Sequence, residues 1–197
     1  KRKHILSGVC ITGGEPTIQQ DLPDFIYKIK ELGLAVKLDT NGSHPHMLEE
    51  LIGKKQIDYV AMDIKNAPGK YQETTGLAVE GAYAEASDNA FPVKAVQQSV
   101  ELLKNSGIPY EFRTTVVKEF HTQQVLQESW VWIAGCSAYY LQQFEDSGQL
   151  IAEMEGSVEK HMIFHAYEEA EIKRIAERLN HIPGMEGKVH LRGMSGE

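Results

Sequence analysis

The chain repeats one pattern along its length: a short run rich in β-branched residues, a polar turn, and a segment with apolar residues at helical spacing. The first two units place strands at 9–12 and 35–39, and apolar residues recur every three or four positions in the segment after each strand. Strands that alternate with helices across short connections predict a parallel sheet with right-handed crossovers. The sequence therefore predicts an α/β fold.

Four more strands continue the pattern, at 57–65, 110–117, 138–144 and 188–192. The number of β/α units is too small for a closed eight-stranded barrel, so we expect a partial (β/α) barrel with a mostly parallel sheet and outer helices. Since no shift of composition marks a boundary, we expect one domain over 1–197. Within it, about 66–90 is expected to be an insertion, either a surface loop or a lid, and about 145–197 a C-terminal extension.

The charge and the apolar patterning exclude several classes of partner. The chain has 20 basic and 28 acidic side chains and a net charge of -8, which argues against nucleic acid or an anionic membrane as the main partner. No apolar stretch is long enough to span a bilayer, and residues 1–7 lack the apolar core of a secretion signal. We therefore expect a cytoplasmic protein.

The turn after the first strand, in the stretch G-V-C-I-T-G-G-E-P-T, is the main candidate for a ligand site. Gly13 and Gly14 carry no Cβ atoms that would keep a ligand from the backbone, and Pro16 stiffens the exit. Glu15 is then a carboxylate on a fixed loop, suited to a ligand with a donor such as an ammonium group. The alternative is an ordinary turn between a strand and a helix.

Polar residues also follow the next three strands: Asp39, Thr40, Asn41, Asp63, Lys65 and Arg113. Ligands of parallel α/β folds bind outside the carboxyl ends of the strands, so these residues are expected to form one set with the glycine turn. Asp63 and Lys65, two apart in a strand, would share a face and could hold a zwitterion. Asp63 could instead join Asp39 around a small cation, and Arg113 could clamp a carboxylate.

Plainer interpretations of these residues stay open at this point. Asp63 and Lys65 could pair with each other at the rim, and Asp39 to Asn41 could fill ordinary turn roles. Arg113 could face solvent at an edge of the sheet. His161 and His165 have i,i+4 spacing but lack the Glu of a zinc helix, so we interpret them as surface residues.

Four segments, in order, resemble a known family. The segment I-T-G-G-E-P at 11–16 resembles the G-G-E-P motif of radical S-adenosylmethionine (SAM) enzymes. D-T-N-G at 39–42, M-D-I-K at 62–65 and F-R-T-T-V-V at 112–117 are similar to the branch that activates glycyl-radical enzymes. In that branch the resemblance is to the activating proteins of anaerobic ribonucleoside-triphosphate reductase and of pyruvate formate-lyase.

The resemblance implies which residues bind the cofactor. The main-chain oxygens of the glycine turn and the carboxylate of Glu15 would hold the methionine ammonium of SAM. Asp39, Thr40 and Asp63 would lie near its carboxylate and near a possible monovalent cation, and Lys65 and Arg113 would contact its carboxylate or ribose. The cofactor-binding set is therefore Gly13, Gly14, Glu15, Asp39, Thr40, Asn41, Asp63, Lys65 and Arg113.

The resemblance also implies a reaction and its partners. A [4Fe-4S] cluster would cleave SAM reductively, and the resulting 5'-deoxyadenosyl radical would take hydrogen from a glycine of a partner enzyme. Flavodoxin or ferredoxin would be the expected type of reductant. Because cluster and SAM carry this chemistry, no side chain of the chain is assigned a catalytic role.

The sequence departs from this family at the cluster. The C-x3-C-x2-C loop of the family should precede G-G-E-P, yet only 1–7 precede the first strand, and the chain has two cysteines, Cys10 and Cys136. Cys10 is expected to be buried within its strand. We therefore expect a truncated chain without the first β/α unit or the cluster ligands, inactive as it stands.

Two other functions remain open. One is a radical SAM enzyme that acts on a small molecule, similar to a 7-carboxy-7-deazaguanine synthase. The other is a non-catalytic α/β binding or regulatory module.

Overall fold

A computed structural model describes residues 5–75, 92–145 and 164–194. Its strands are β1 Gly8–Ile11, β2 Ala35–Thr40, β3 Tyr59–Asp63, β4 Tyr110–Val116, β5 Tyr139–Gln143 and β6 Val189–Arg192. Its α-helices are α1 Leu22–Glu31, α2 Pro45–Gly53, α3 Tyr71–Thr74, α4 Val93–Ser106, α5 Gln123–Ile133 and α6 Glu169–Asn180. Two 3-10 turns, Pro16–Ile18 and Pro68–Lys70, complete the described elements.

The strands are hydrogen-bonded in chain order, from β1 to β6. Parallel registers join β1 to β2, β2 to β3, β3 to β4 and β5 to β6. The predicted α/β class with a mostly parallel sheet is therefore confirmed. The strand expected at 188–192 is also confirmed, as β6.

The contacts divide the chain into two compact units. Among the described residues, the first unit comprises 5–64, 92–113 and 135–138, and the second comprises 65–75, 114–134, 139–145 and 164–194. The organisation as one domain over 1–197 stays a prediction. Most of the insertion expected at 66–90 lies outside the described residues, as do 146–163 of the C-terminal extension.

The core of the first unit follows from alternation in its strands. Val36 and Leu38 of β2 and Val60 of β3 are fully buried, whereas the intervening Lys37 and Asp39 are partly exposed. The period of two therefore gives each strand an apolar face, against which helices such as α1 pack Ile26. The polar face is the one that carries the candidate site.

The second unit buries helix faces and one polar contact. Leu126 of α5 and Ile172 of α6 are fully buried. Tyr139 is also fully buried, and its hydroxyl donates to Thr114 Oγ1 at 2.8 Å, which satisfies a polar group inside the core. Helix α6 begins at a capping box formed by Glu168 and Glu171, in which each side chain accepts from the backbone of the other.

Two local predictions need correction. β3 ends at Asp63, not Lys65, because the Lys65 N–H donates to the Tyr71 hydroxyl at 3.1 Å and leaves the ladder. The argument from strand alternation therefore does not extend to Lys65. Cys10 is exposed, not buried within its strand, since its side chain lies on the polar face of β1.

No helix among the described residues is long and apolar enough to cross a membrane.

Gly42 offers a test of packing behind the end of β2. It has a φ of +74°, and an ideal Cβ there would overlap the Met62 side chain and lie 3.3 Å from Ser99 Cβ. We expect Gly42→Ala to lower the free energy of unfolding by about 1 kcal/mol for the left-handed backbone and about 1–3 kcal/mol more for overpacking. Urea denaturation of the purified chain measures this.

Gly107→Ala is the matched control. Gly107 has a φ of +71°, but nothing lies within 4 Å of an ideal Cβ, so only the backbone term applies. Equal losses for the two variants would contradict the packing argument.

Candidate functional site

The loop after β1 has an open backbone. Gly13 and Gly14 have φ values of +96° and +53°, which other residues rarely adopt. Nothing lies within 4 Å of an ideal Cβ at either position, and both residues are exposed. Among the described residues, no hydrogen bond occupies either carbonyl oxygen. The main chain of this loop is therefore accessible to a ligand.

Glu15 joins this loop to the end of β2. Its Oε1 accepts from Thr17 N at 3.1 Å, from Thr17 Oγ1 at 2.5 Å and from Thr40 Oγ1 at 2.7 Å. Its Oε2 accepts from Asn41 N at 2.5 Å. Both oxygens of the carboxylate are thus engaged by protein donors.

Thr40 and Asn41 form a second turn beside this loop. Thr40 is buried, and its Oγ1 also accepts from Gly42 N at 3.0 Å. Asn41 Oδ1 accepts from Ser43 N at 2.9 Å, the usual role of an Asn side chain in a turn. The ordinary turn roles considered in the sequence are therefore present, together with the link to Glu15.

Arg113 joins the ends of three neighbouring strands. It donates from Nε to Asp63 Oδ1 at 2.5 Å and from Nη1 to Asp39 Oδ2 at 3.0 Å. The Arg113 and Asp39 side chains are only 15% and 13% exposed. Arg113 therefore pairs inside the sheet and does not face solvent at an edge.

The charges around Asp39 determine its ionisation. Burial alone would raise its pKa, but Arg113 and Lys37 outweigh this effect, so the pKa of Asp39 lies below its ordinary value. Lys37 Nζ lies 3.2 Å from Asp39 Oδ1, within ion-pair distance but without hydrogen-bond alignment. Asp39 is thus a carboxylate held between two cations.

The guanidinium of Arg113 lies between the two carboxylates that the sequence suggested for a monovalent cation. Within the described ranges, no group of three or more His, Cys, Asp or Glu residues could hold a metal ion. The third suggested ligand, Thr40, directs its hydroxyl to Glu15. The cation at Asp39, Thr40 and Asp63 stays a prediction.

A cavity of about 370 Å³ lies beside the β1 loop. Its lining includes the loop residues 11–16 together with Ile18, Leu22 and Phe25. Ile18 and Phe25 are each about half exposed. The open backbone therefore borders an apolar wall, which suits a ligand with both a polar and an apolar part.

In the second unit, the backbone of Lys65 is held on both sides by buried side chains. Its N–H donates to the Tyr71 hydroxyl, and its carbonyl lies 2.8 Å from His121 Nε2. His121 Nδ1 accepts from Val117 N at 3.0 Å, so the ring proton is on Nε2 and is donated to Lys65. Burial lowers the pKa of His121, consistent with a neutral ring.

Sequence reasoning missed His121. The sequence analysis considered His161 and His165 because of their i,i+4 spacing. His121 follows strand β4 and has no spacing typical of a metal ligand. Its signal in the sequence was its place shortly after strand β4.

The predicted site residues fall into groups. One group is connected by the Glu15 carboxylate and its loop: Gly13, Gly14, Glu15, Thr40 and Asn41. The other group is connected by the guanidinium of Arg113: Asp39, Asp63 and Arg113. All eight belong to the first unit, whereas Lys65 belongs to the second.

The profile of the Radical SAM superfamily matches residues 1–127, about two thirds of the chain. The chain belongs to the radical SAM superfamily. This membership accounts for the resemblance of the glycine turn and of the polar strand ends to radical SAM motifs.

The curated relatives differ in the activity that their names assign. A protein of Methanocaldococcus jannaschii, named as a glycyl-radical enzyme activating enzyme, is 36% identical over 138 residues, covering 70% of this chain and 54% of the relative. A protein of Sulfolobus acidocaldarius, named as a GTP 3',8-cyclase, is 38% identical over 87 residues, covering 42% of this chain and 27% of the relative. The chain thus spans about half the length of the first relative and about a quarter of the second.

Solved structures share the radical SAM fold. A domain of pyruvate-formate lyase-activating enzyme from Bacteroides vulgatus matches with a TM-score of 0.64 at 13% identity, covering 95% of this chain and 99% of that one. Streptococcus suis SuiB bound to S-adenosylmethionine matches with a TM-score of 0.59 at 14% identity, covering 93% of this chain and 38% of SuiB. The predicted fold of the radical SAM type is confirmed.

Membership implies SAM and a [4Fe-4S] cluster, and the residues fit the two differently. The open glycine backbone and the neighbouring carboxylates and guanidinium suit the charged methionine end of SAM. The cluster does not fit. The chain has two cysteines: Cys136 is buried, and partial desolvation of the exposed Cys10, followed by the charge of Asp39, raises the pKa of the Cys10 thiol. These residues do not supply the thiolates that a cluster needs.

The Arg113 pairs predict a large loss of stability when the charge is removed. Arg113→Met would leave two partly buried carboxylates without their cation, so we expect the free energy of unfolding at pH 7 to fall by about 3 kcal/mol. The pKa of Asp39 is lowered in the fold, so its stabilising effect is present above the ordinary aspartate pKa and is lost as pH falls. The deficit should therefore shrink between about pH 5 and pH 3.

Urea denaturation across this pH range tests the Arg113 pairs. Arg178→Met is the control, because Arg178 makes an exposed hydrogen bond to Gln123 and should cost about 0.5 kcal/mol or less. A deficit for Arg113→Met that does not change with pH would refute the assignment of the loss to these pairs.

His121 predicts a second pH dependence. Since its pKa is lowered in the fold, the unfolded chain takes up its proton first, and the stability it contributes above the ordinary histidine pKa is lost as pH falls. We expect the free energy of unfolding to drop by about 1 kcal/mol between about pH 7.5 and pH 5.5. His121→Gln should remove most of this slope.

His181→Gln, a substitution at an exposed histidine, is carried through the same titration as the control. Asp39 and Asp58 have lowered pKa values and titrate below this window. A slope that survives in His121→Gln would show that another group is responsible.

Proposed function

We propose that the whole protein is a radical SAM activating enzyme for a glycyl-radical enzyme, and that this chain carries much of its SAM-binding surface. The observation that carries this proposal is the open Gly13-Gly14 backbone, whose loop Glu15 joins to the end of β2, together with the Asp39-Arg113-Asp63 cluster in the same compact unit. Support for the activating role comes from the relative in Methanocaldococcus jannaschii, which matches the longest stretch among the relatives described above.

The site residues would divide the methionine end of SAM between them. The carbonyl oxygens of Gly13 and Gly14 would accept from the ammonium group. Arg113 uses Nε and one Nη1 hydrogen in its two pairs, so its further N–H groups would be available for the SAM carboxylate or ribose. Asp39 and Asp63 would hold the guanidinium in place.

Three assignments rest on the sequence alone. Lys65 is proposed to contact SAM, and Asn41 is proposed to belong to the same site through its side chain. A monovalent cation near Asp39, Thr40 and Asp63 is proposed on the same basis. None of these roles changes the central assignment of the glycine loop.

The electron for the reaction would come from a [4Fe-4S] cluster whose ligands lie outside this chain. The radical chemistry would thus be supplied by cluster and SAM, and the residues of this chain would bind and orient the cofactor. We further propose a glycyl-radical enzyme as protein substrate, a flavodoxin or ferredoxin as reductant, and a cytoplasmic, anaerobic setting.

A second candidate function is a radical SAM reaction on a small molecule. The relatives named as GTP 3',8-cyclases favour it, since the protein of Sulfolobus acidocaldarius is 38% identical over its aligned residues. An activating enzyme needs an accessible site for a protein loop, whereas a small-molecule enzyme needs further substrate ligands. The two candidates share the SAM site and differ in what is placed next to it.

The experiment uses the full-length protein, reconstituted anaerobically with iron and sulfide and reduced with dithionite. We expect 5'-deoxyadenosine to form from SAM and a glycyl-radical signal to appear by electron paramagnetic resonance when the partner enzyme is present. Consumption of GTP without a glycyl radical would favour the second candidate. Failure to form 5'-deoxyadenosine would overturn both.

The chain by itself provides a matched comparison. Because it has only Cys10 and Cys136, reconstitution should give no stoichiometric cluster signal after reduction. Its affinity for SAM, measured by calorimetry, should be weak without the iron that anchors the cofactor. A robust cluster signal from the chain alone would contradict the division of roles proposed above.

A further inference from the structure

We infer that Glu15 is a positioning residue, whose carboxylate holds the ligand loop in place through its hydrogen bonds to protein donors. The resemblance to radical SAM enzymes assigns this carboxylate to the SAM ammonium. The hydrogen bonds of Glu15 favour a different role. This inference deepens the proposed function and rests on it only for the identity of the ligand.

Both oxygens of the carboxylate are already engaged by protein donors. Oε1 accepts three hydrogen bonds, from Thr17 N, Thr17 Oγ1 and Thr40 Oγ1, and Oε2 accepts one, from Asn41 N. Three of the four donors lie at 2.5–2.7 Å, as expected when the acceptor carries a full charge. An ammonium group that approached Oε1 would have to displace one of its three donors, and one that approached Oε2 would share that oxygen with Asn41 N.

The bonds connect two segments that are distant in sequence. Thr17 lies in the 3-10 turn after the glycine loop, whereas Thr40 and Asn41 end β2, about 25 residues later. Glu15 itself is the N-cap of the 3-10 turn. The carboxylate therefore joins the C-terminal side of the glycine loop to the end of β2 and restricts a segment whose two glycines have a large conformational freedom.

The hydrogen bonds of Glu15 position the backbone carbonyl oxygens of the glycine loop toward a ligand. Gly13 and Gly14 keep left-handed conformations with open space beside them, and no described hydrogen bond takes their carbonyl oxygens. Glu15 thus acts on the ligand through the position of Gly13 and Gly14. The acceptors that meet the ammonium are then preorganised before the ligand arrives.

A positioning role and a direct ligand role for Glu15 predict different behaviour of the ligand-free protein. If Glu15 positions the loop, Glu15→Gln loosens it even when nothing is bound. If Glu15 is a direct ligand, the unbound loop stays ordered and only binding suffers. Gln keeps the size of Glu, but its amide nitrogen cannot accept from Asn41 N.

The first arm measures the ligand-free chain by nuclear magnetic resonance. In Glu15→Gln we expect the Asn41 amide to exchange at least about ten times faster with solvent, since hydrogen bonds to charged groups are worth that factor or more. Heteronuclear relaxation should show increased motion at Gly13 and Gly14. An unchanged Asn41 exchange rate and an unchanged loop would overturn the inference.

Asp58→Asn is the matched control. The carboxylate of Asp58 accepts from Val36 N at 2.6 Å, so it also bonds the backbone of β2, but at the opposite end of the strand. We expect faster exchange at Val36 and no change at Asn41 or in the glycine loop. Loosening of the glycine loop in this control would show a general loss of order and would count against a specific role for Glu15.

Thr40 provides a second variant if Glu15→Gln does not fold. Thr40→Val removes one donor to Glu15 and the acceptor for Gly42 N, whereas Thr40→Ser keeps the hydroxyl. The positioning role predicts that the Asn41 amide exchanges faster in Thr40→Val and at the wild-type rate in Thr40→Ser. Equal, unchanged exchange in both would overturn the inference.

The second arm titrates SAM into the same variants made in the full-length protein. We expect Glu15→Gln and Thr40→Val each to weaken SAM binding by about tenfold or less. The double variant should lose less affinity than the product of the two single effects, because both substitutions remove the same set of hydrogen bonds. If Thr40→Val binds SAM with the affinity of the wild type while Glu15→Gln binds it more weakly, the positioning role is overturned. Absence of SAM binding in the full-length wild type would count against the proposed function, while the ligand-free arm still decides the role of Glu15.

Discussion

Parallel pairing of β2, β3 and β4 is the constraint on which the site depends. In a parallel sheet, the carboxyl ends of all strands lie at one edge, so short polar segments far apart in sequence become neighbours. Asp63 and Arg113 are register partners on adjacent strands, and Arg113 reaches Asp39 on the strand beyond. A slip of one residue would send these side chains to the apolar face.

The carboxylates of the site do two different kinds of work. Asp39 and Asp63 keep the Arg113 guanidinium within a partly buried cluster, where a missing partner would be costly. Glu15 instead joins two backbone segments through donors of the protein. The first arrangement presents a cation, and the second presents carbonyl oxygens; together they suit a zwitterionic group such as the methionine end of SAM.

The strand and helix order could be predicted because each element has its own period of apolar residues. The polar strand ends could be predicted for the same reason, since the positions follow from where each strand stops. The sequence could not predict the hydrogen-bond or ion-pair partner of each side chain. Cys10 was expected to be buried, but its side chain is on the polar face of β1, and His121 carried no pattern that separates a buried clamp from a surface histidine.

The sequence by itself determined the α/β class, the succession of strands and helices along the chain, the glycine loop and the identity of the polar residues at the strand ends, because these depend on local periodicity and on residue chemistry. Only the tertiary structure decided that Arg113 lies between Asp39 and Asp63, that the Glu15 carboxylate accepts from Thr40 and Asn41, and that His121 holds the backbone of Lys65. These pairings join residues that are 25 to 74 positions apart in sequence, which no local pattern encodes.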